Sequence, residues 1–525
     1  MRLLGEDLVR VYGRRYDTWT KQYKDNKVVS TLYWGDEVSL VKEAEADDPS
    51  VGRVRVRYYV PGLGKDLVGE IRKKSAGRRN GKKTYRPIRW LEERDPGVLK
   101  VTFVDVQQGD ATLVQTPSGK VLLIDGGEGK FIARLLAALF PGSTEANPFV
   151  IDALVITHGD ADHFSGLNEL AKAAQHRTSR KRIHARVARY FHNGIVKAGG
   201  EVLRDGQMKS RREKEKLGDF HEDGDHVYVT SVFTDPRKAP SPNGPFQRWF
   251  KSMETLLDTE GLGPADKMPG ERLPRIERME FGNGNQLAIL GKNDSHLAFD
   301  VLGPLVDRVN EKPALEMLEG ENGGLSAGHT INGHSIVLKM RYGNVNFMLG
   351  GDLNTPAAER LLHHLAEHGG PSLRSEILKV PHHGSHEFAP EFLDKVAPVV
   401  SVVSSGDENV MKEYVHPRAN LMAALGRYSR GPLPLVFSTE LAAFFAYRGP
   451  VQPEKHKPDG SELAKKKQRG KIHAFQRLVF GAVRVRTNGA RVLCAVESAN
   501  DGIKEAYAFT VSEAGDIEMD NVSTL

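Results

Sequence analysis

Cysteine and long apolar runs are scarce in this chain, and each shortage excludes a class of protein. The 525 residues include a single cysteine, Cys494, which excludes a disulfide framework and a cysteine-rich zinc site. It also favours a reducing compartment. No run of about eighteen apolar residues occurs, so we expect no transmembrane helix. The N-terminus, Met1 to Arg10, lacks the apolar stretch of a signal peptide. These absences predict a soluble, cytoplasmic protein with no membrane partner.

A strong charge imbalance is absent as well. The net charge of +6 is small for 525 residues, so the location of the charges is more informative than their sum. Hydrophobic residues make up 39% of the chain, which is enough for a large core. A chain of this length predicts about two to three domains.

Histidine and aspartate are concentrated in one short stretch. The apolar run 151–156 is followed by His158, Asp160, Asp162 and His163. Such a run is typical of a buried strand whose end presents side chains, and the residues after it predict a helix. Two imidazoles and two carboxylates this close together are costly to bury unless cations neutralise them. These donors suit zinc, manganese or iron, so we predict a metal site here. The alternative is a solvated acidic loop with two incidental histidines.

The N-terminal region, residues 1–95, predicts a small β domain. Short alternating segments at 31–41, 51–60 and 67–71 are separated by turns, which is typical of a small barrel. The pattern resembles bacterial SH3-like domains. That resemblance implies a surface that binds a protein partner.

A basic stretch lies near the end of this region. Between residues 72 and 89 the chain carries nine lysines and arginines and no acidic residue. Such a cluster is an electrostatic footprint for a polyanion and predicts salt-dependent binding of nucleic acid. The alternative is a solvated linker whose charges only maintain solubility. The predicted nucleic-acid-binding residues are Arg72, Lys73, Lys74, Arg78, Arg79, Lys82 and Lys83.

Beyond residue 97 the order of strands and helices predicts a sheet covered by helices. Two more apolar segments end in polar residues. One ends at Asp352 after a pair of glycines, and the other ends at the vicinal histidines His382 and His383. Glycines before Asp352 allow a close approach of the backbone. These strand ends are therefore further candidates for the same site.

Residues 177–290 fit the pattern least. We expect them to form an insertion on one rim of the fold, joined to the rest through a proline-rich connector at 236–245. Within this segment, His192 and Asn193 follow a predicted strand. They are candidates to reach the site, although a single histidine after a strand is more often structural.

Four separated segments together resemble the metallo-β-lactamase domain of the ComEC-like competence proteins. They occur in the family's order within residues 97–500. The resemblance implies an αββα sandwich over residues 97–525, a two-metal site between its sheets, and hydrolase activity. ComEC's membrane channel has no counterpart here, so membrane transport does not carry over. The segments are 104–110 with 123–127, 158–163, 332–338 with 350–352, and 381–385.

The resemblance also implies roles for single residues. Asp352 would bridge two metal ions, and either His382 or His383 would supply the last ligand while the other contacts substrate. The histidine of the family's third motif would be His334, with His329 as the competing candidate. The predicted metal ligands are His158, Asp160, Asp162, His163, His334, Asp352 and His382. The predicted catalytic residues are Asp162, His383 and His416, the last as a proton donor or a supporting residue.

One ligand position departs from the family's pattern. The family's loop is His-x-His-x-Asp-His, and Asp160 stands in place of the second histidine. A carboxylate in place of an imidazole makes a site harder and more anionic, which shifts its preference toward manganese. It also favours a phosphodiester over a neutral lactam. Three further aspartates, Asp105, Asp110 and Asp125, are predicted to support the first strands beneath the site.

These observations predict a metal-dependent phosphodiesterase, above all a nuclease that acts on DNA. Two divalent cations, zinc or manganese, would lower the pKa of a shared water to about 7 and clamp the oxyanion, and Asp162 would orient the resulting hydroxide. One alternative is a hydrolase of a small phosphodiester, a lactone or a phosphocholine ester. Another is an SH3-like targeting module on a weakly active metal-binding domain.

Overall fold

The computed structural model contains an N-terminal sheet and two larger sheets with helices on their outer faces. Within the described ranges, no helix is both long enough and apolar enough to cross a membrane. The structure describes residues 2–4, 7–17, 22–60, 65–86, 91–92, 97–107, 109–204, 206–257, 276–284, 287, 290, 294, 296–320, 322–406, 416–439, 443–451, 472–480, 482–498 and 502–522.

The N-terminal sheet is built from alternating sequence. Its elements are β1 (Arg2–Leu4), β2 (Leu8–Asp17), β3 (Gln22–Tyr33), β4 (Glu37–Leu40), α1 (Ala44–Asp47), β5 (Arg53–Val60), β6 (Lys65–Arg72), β7 (Ser75–Arg79), β8 (Lys82–Tyr85) and β9 (Leu91–Glu92). In β5, Val54, Val56 and Tyr58 are buried while the arginines between them are exposed, because successive side chains of a strand point to opposite faces. The sheet order is β3-β2-β6-β5-β4-β1-β9, and β7 pairs with β8 as a separate hairpin. The SH3-like identity of this β-rich region stays a prediction.

The next part of the chain forms three helices and two kinds of strand, those that join the larger of the two remaining sheets and those that pair in small separate sheets. The strands are β10 (Leu99–Phe103), β11 (Thr112–Gln115), β12 (Val121–Ile124), β13 (Phe149–Ile151), β14 (Ala153–Val155), β15 (Ala185–Val187), β16 (Tyr190–His192), β17 (Glu201–Arg204), β18 (Gln207–Ser210), β19 (Phe220–Asp223), β20 (His226–Val229) and β21 (Ile276–Arg278). The helices are α2 (Phe131–Leu139), α3 (Ala161–Lys172) and α4 (Gly244–Leu256).

The last part of the chain forms the second sheet and then returns to the first. Its strands are β22 (Leu297–Gly303), β23 (Asp307–Val309), β24 (Lys312–Glu316), β25 (Val337–Tyr342), β26 (Val345–Leu349), β27 (Ile377–Lys379), β28 (Val400–Val403), β29 (Leu435–Ser438), β30 (Ala443–Val451), β31 (Ile472–Phe480), β32 (Ala482–Thr487), β33 (Arg491–Ser498), β34 (Gly502–Val511) and β35 (Ile517–Asp520). The helices are α5 (Ala327–Gly333), α6 (Thr355–His368), α7 (Pro390–Val396) and α8 (Ala419–Tyr428).

Parallel strands at the centre of each sheet bring loops to a common edge. Among the described residues, one sheet has the order β21-β16-β14-β12-β11-β10-β32-β33-β34-β35 and the other the order β22-β25-β26-β27-β28-β29-β30-β31. Strand β14 runs parallel to β12 and β16, and β26 to β29 form a parallel run. Loops at the carboxyl ends of parallel strands are where α/β sheets place their sites. The loops after β14, β26 and β27 are therefore positioned to meet.

Three hydrophobic clusters define four layers. The central cluster joins the two sheets, with Phe103 and Val155 from one and Phe347 and Phe437 from the other. A second cluster packs the outer face of the first sheet against α2, α3 and α4. A third packs the outer face of the second sheet against α6, α7 and α8. Central strands that are buried on both faces have continuous apolar sequence rather than alternation. The order of layers is helix, sheet, sheet, helix, so the predicted αββα fold class is confirmed.

The N-terminal sheet rests on the last strands of the first large sheet. Tyr33 and Trp34 pack in one cluster with Leu493 and other residues of β33 and β34. Beside this apolar contact, Asp7 pairs with the Arg491 guanidinium. The contact therefore combines buried apolar surface with a charge-assisted hydrogen bond.

The segment 177–290 is more integrated than the predicted insertion. Strands β16 and β21 belong to the first large sheet, and α4 packs on α3, with the Phe164 and Trp249 rings 4.9 Å apart. Strands β17 to β20 lie outside that sheet. The inserted part is therefore smaller than the sequence predicted, because the ends of the segment complete the sheet and its helical cover.

The central core gives a first test of the fold. Phe347 lies between the sheets and is 0% exposed, so Phe347→Ala is expected to lower the free energy of unfolding by about 3–5 kcal/mol through lost transfer energy and a cavity. The control is Phe131→Ala, at the start of α2 and 36% exposed, which should cost less than about 1 kcal/mol. Urea unfolding followed by circular dichroism measures both. Equal losses for the two variants would contradict the layer assignment.

Candidate metal centre

The loop between β14 and α3 carries imidazoles and carboxylates into a buried position. Strand β14 ends at Val155 and α3 begins at Ala161. His158 and His163 are 1% and 0% exposed. Asp162 lies in the first turn of α3, where the partial positive charge of a helix N-terminus stabilises a carboxylate.

Two loops of the second sheet face this loop. The first leads from β26 through Gly351 to Asp352. Gly351 has φ +53°, and a Cβ there would lie 2.9 Å from the Ser335 side chain, so glycine is required for the close approach. The second loop leads from β27 to His383, which is buried. Because β26 and β27 are parallel neighbours, both loops end at the same edge.

Asp352 lies at the centre of the cluster that these loops form. Its Oδ2 is 3.2 Å from His383 Nε2, 3.4 Å from His163 Nε2 and 3.8 Å from His158 Nε2. Asp162 Oδ2 is 3.4 Å from His383 Nε2. Four candidate ligand atoms lie within 4.8 Å of one another, and they come from Asp110, His163, Asp352 and His383.

Several buried atoms of the cluster have no hydrogen-bond partner among the residues that the structure describes. They are Nε2 of His158, His163 and His383, and Oδ1 of Asp352. Leaving a buried polar atom unpaired costs about 1–3 kcal/mol, and more for a charged group. Imidazole nitrogen and carboxylate oxygen are the donors that zinc and manganese accept. The donor set therefore fits divalent metal ions.

Hydrogen bonds to the other ring nitrogen turn each Nε2 toward the centre. His163 Nδ1–H donates to Asp125 Oδ2 at 2.9 Å, and His383 Nδ1–H donates to the Ser404 carbonyl at 3.1 Å. Thr157 Oγ1 donates to Asp125 at 2.7 Å and lies 3.1 Å from His158 Nδ1. Because the Thr157 hydroxyl donates its proton to Asp125, its oxygen accepts a hydrogen bond from His158 Nδ1–H. In their neutral form all three rings thus present an Nε2 lone pair, as metal-binding histidines do.

A buried ion pair supports the cluster from below. Lys379 Nζ contacts Asp110 Oδ2 and donates to the Gly351 carbonyl at 3.2 Å. Asp110 Oδ1 lies 3.4 Å from His383 Nδ1. The sequence assigned Asp110 a supporting role and assigned Lys379 none. A signal was present, because a lysine inside a buried apolar strand requires a buried acid as its partner.

The charges of the cluster are mutually dependent. Burial lowers the pKa of His163 and His383, but the carboxylates of Asp352 and its neighbours outweigh it and raise both well above the usual value. Burial likewise opposes ionisation of Asp352, whereas the two imidazoles hold its pKa well below the usual value. Burial, followed by the nearby His163, lowers the pKa of His158 to about 3. Protons on imidazoles and a divalent cation are alternative ways to neutralise these carboxylates.

Asp160 lies beside the cluster, at the residue before α3. Burial and the charge of Asp162 raise the pKa of its carboxyl to about 6, and Lys197 acts in the opposite direction. A carboxylate that is costly to ionise is favoured by a nearby cation. Asp160 is not one of the four residues whose ligand atoms meet most closely.

The structure does not bring His334 to the cluster. Its Nε2–H donates to the Glu316 carbonyl at 2.7 Å, and its ring lines an apolar cavity with Leu302 and Leu361. The assignment of His334 as a metal ligand is therefore corrected. The reason is that α5 ends at Gly333, so His334 turns away while Ser335 faces His158 at 3.3 Å. The competing candidate, His329, lies 2.9 Å from Glu387 Oε1 instead.

The two vicinal histidines exchange the roles that the sequence assigned them. His383 points into the cluster, whereas His382 Nε2 lies 3.2 Å from Asn332 Nδ2 and its Nδ1 lies 3.7 Å from Glu387 Oε2. The His416 ring is next to it, with centroids 6.4 Å apart. Positive φ angles at both residues, 49° and 52°, separate the two rings. No local sequence pattern specified that turn, and Asn332 and Glu387 were not identified from the sequence.

His192 and Asn193 have structural partners. His192 Nε2–H donates to the Thr234 carbonyl at 2.9 Å. Asn193 Nδ2 donates to the His334 carbonyl at 2.9 Å. The Asn193 bond ties the loop after β16 to the α5–β25 connection, and the His192 bond ties the end of β16 to the segment between β20 and α4. Both residues therefore support the surroundings of the centre.

The predicted nucleic-acid-binding residues fall into two groups. Lys73 is buried at 6% exposure, and its Nζ donates to the carbonyls of Glu45, Ala46 and Asp48. Its assignment is therefore corrected, because an ammonium enclosed by three carbonyls is not available to a phosphate. The exposed group consists of Arg72, Lys74, Arg78, Arg79, Lys82 and Lys83, of which Arg72 stacks on the Tyr12 ring at 3.9 Å.

Comparison with known proteins agrees with this geometry. Residues 104–242 match the metallo-beta-lactamase superfamily. ComE operon protein 3 of Bacillus subtilis (strain 168) is 30% identical over 99 residues, which are 19% of this chain and 12% of that protein. Competence protein ComA of Neisseria gonorrhoeae is 35% identical over 96 residues, 18% of this chain and 13% of that protein. The matched regions thus span about an eighth of each relative.

A solved structure, a mutant of CmlA beta-hydroxylase, aligns over 60% of this chain and 46% of its own at 13% identity, with a TM-score of 0.25. The fold assignment rests on the superfamily match and the layer order instead. Residues 104–242 therefore match the metallo-beta-lactamase superfamily, and the chain shows partial similarity to competence proteins, as the sequence predicted.

The orientation of His163 provides a test of metal binding. Asp125→Asn removes the carboxylate that holds His163 Nδ1–H, so affinity for Zn²⁺ or Mn²⁺ is expected to fall about 10- to 100-fold. A matched control is Asp152→Asn, since Asp152 is also a buried carboxylate and accepts from the Val121 backbone at 2.8 Å and Lys120 at 2.9 Å. Titration against a chelating dye measures both variants. Equal loss of affinity in the two would indicate a general folding defect.

Proposed function

We propose that this metallo-β-lactamase domain is a metal-dependent hydrolase that cleaves phosphodiester bonds in DNA. The observation that carries the proposal is the buried cluster around Asp352, in which three imidazole Nε2 atoms face one carboxylate and have no hydrogen-bond partner within the described parts of the chain. Burial of so many donors toward one point is costly unless a cation occupies it. A strongly perturbed set of titratable groups is also typical of an active site.

The residues that would hold the cations are His158, Asp162, His163, Asp352 and His383, with Asp160 and Asp110 beside them. When bound, divalent cations supply Lewis-acid polarisation of a phosphoryl oxygen and a water acidified to a pKa of about 7. Asp125, Thr157 and Ser404 fix the ring orientations on which that binding depends.

The outer residues of the cluster would handle substrate. Asp162 is the most accessible of the cluster carboxylates, with 20% of its side chain exposed, so its oxygen is placed to accept a hydrogen bond from an attacking water. His382 and His416 are neighbours at the edge of the cluster. Burial lowers the pKa of both rings, His416 to about 4. A neutral His416 imidazole would bind the phosphate through its N–H group, whereas His382 Nε2 accepts from Asn332 Nδ2 and its Nδ1–H faces Glu387.

DNA is favoured over a small ester for two reasons. The exposed arginines and lysines on β7 and β8 supply positive charge that a small substrate does not need. The two curated relatives are a competence protein and a protein of the ComE operon. A small phosphodiester, a lactone or a phosphocholine ester would leave the basic residues without a role. A targeting module on a weakly active domain would leave the oriented imidazoles without one.

Removal of metal tests the catalytic proposal. Chelator-treated protein and Asp162→Asn are expected to cleave labelled DNA at least about a thousandfold more slowly than Mn²⁺- or Zn²⁺-loaded wild type, because both lose groups that act together. The control is His334→Gln, which lies outside the cluster and should retain most of the activity. A panel with bis-p-nitrophenyl phosphate, a lactone and a phosphocholine ester runs in parallel. Undiminished cleavage after metal removal, or activity on a small ester alone, would refute the proposal.

The position of His382 gives a separate prediction. Glu387 contacts both His329 and His382, so Glu387→Gln should loosen the His382 ring at the mouth of the site. We expect kcat to fall about 10- to 100-fold, with metal content unchanged. The control is Glu391→Gln, an exposed residue at the start of α7. Loss of metal from the Glu387 variant would mean that this residue supports the ligands rather than the substrate.

A further inference from the structure

The hairpin of β7 and β8, residues 75–85, carries positive charge on both faces. Arg78 lies opposite Lys83, and Arg79 opposite Lys82. Since successive residues of a strand point to opposite faces, one cationic pair lies on each face. All four residues are exposed. Within the part of the chain that the structure describes, none of these four forms an ion pair.

The hairpin by itself has little stability. A two-stranded hairpin is marginal in water, and like charges directly opposite each other destabilise the pairing. Residues 75–83 are all exposed, so no apolar face compensates. What shapes the tip is the turn at Asn80 and Gly81, with φ of 51° and 75°, which matches the two-residue turn that suits a twisted hairpin.

The base of the hairpin is anchored to the N-terminal sheet. Lys73, just before β7, binds three backbone carbonyls through its buried ammonium. At the end of β8, the Tyr85 N–H donates to the Pro49 carbonyl at 3.0 Å, and the Arg86 N–H donates to the Lys74 carbonyl at 2.9 Å. The N-terminal sheet thus holds the base of the hairpin, while its exposed part carries like charges that repel one another. Such a hairpin is stabilised when its charges meet a polyanion.

We propose that this hairpin inserts into the major groove of a B-form DNA duplex and contacts the phosphates on both groove walls. The major groove is about 12 Å wide and admits a two-stranded ribbon, whose strands lie about 4.8 Å apart. One cationic pair on each face matches one phosphate backbone on each wall. The major groove of duplex RNA is too deep and narrow for this insertion, and a single strand has only one backbone. The proposal rests on the proposed function, in which it identifies the substrate as duplex DNA.

Binding without cleavage tests the insertion. Full-length protein in chelator is titrated against fluorescent 20-base-pair DNA, duplex RNA and single-stranded DNA over a range of salt. In the test variant, glutamine replaces Arg78, Arg79, Lys82 and Lys83. In the control variant, four exposed residues elsewhere are replaced by glutamine, so that it has the same net charge as the test variant. These residues are Lys172, Arg177, Arg180 and Lys251. A double variant, Arg79→Gln with Lys82→Gln, provides a milder change, and circular dichroism checks folding.

Wild type is expected to bind duplex DNA at least about tenfold more tightly than either other form. Each lost phosphate contact lowers the steepness of log K against log salt by about 0.9. The variant with four substitutions should therefore lose about 3 to 4 units of slope, and the double variant about half as much. The preference for duplex DNA should disappear when these contacts are lost, whereas the control variant should keep it. Equal weakening on all three nucleic acids, equal weakening in the control, or binding only to anionic phosphatidylserine vesicles would overturn the insertion.

The two proposals fail separately. Wild type that binds duplex DNA through the hairpin but cleaves nothing with any metal would refute the nuclease. If the variant with four substitutions binds and cleaves DNA as wild type does, in a metal-dependent reaction, the role of the hairpin is refuted.

Discussion

The structure depends on one costly arrangement, the burial of several imidazoles around a single carboxylate. Asp352 Oδ2 lies between 3.2 and 3.8 Å from the Nε2 atoms of His383, His163 and His158. In an apolar interior these groups are tolerated only if charge and hydrogen bonding are balanced. The two packed sheets meet that demand by bringing the ends of β14, β26 and β27 to one edge. The sandwich is therefore both the core of the protein and the frame of its centre.

Supporting residues make this arrangement specific. The Asp125 carboxylate accepts from the Thr157 backbone N–H, the Thr157 hydroxyl and the His163 ring, so one group holds both ends of the loop that joins β14 to α3. On the opposite side, the Lys379 ammonium lies between Asp110 and the Gly351 carbonyl. Burial raises the pKa of the Asp110 carboxyl, but Lys379 and His383 together bring it down to about 2. Both sheets thus contribute a buried polar group beneath the cluster.

Charge is distributed unevenly between the two parts of the molecule. Carboxylates and imidazoles are gathered at the buried centre, whereas the cations of β7 and β8 lie on an exposed hairpin. A net charge of +6 conceals this separation. A polyanionic substrate would be attracted by the hairpin, while the carboxylates of the centre would need cations before a phosphate could approach. The two features are complementary in a protein that acts on nucleic acid.

The sequence by itself determined the elements, the fold class and the segments that meet at the centre. Apolar runs that end in His158, Asp352 and His383 are local patterns, and strand ends at one edge follow from parallel pairing. The order of strands and helices predicted a sheet covered by helices, and the resemblance to the ComEC-like family implied the αββα class.

Only the tertiary structure decided which way individual side chains turn. Positive φ angles at His382 and His383 send the second ring, not the first, toward Asp352. The end of α5 turns His334 to a carbonyl and Ser335 to the centre. Three carbonyls distant from Lys73 in the sequence enclose its ammonium. Residue type and spacing specify which groups are near the site, but orientation depends on backbone turns and on partners that lie far away along the chain.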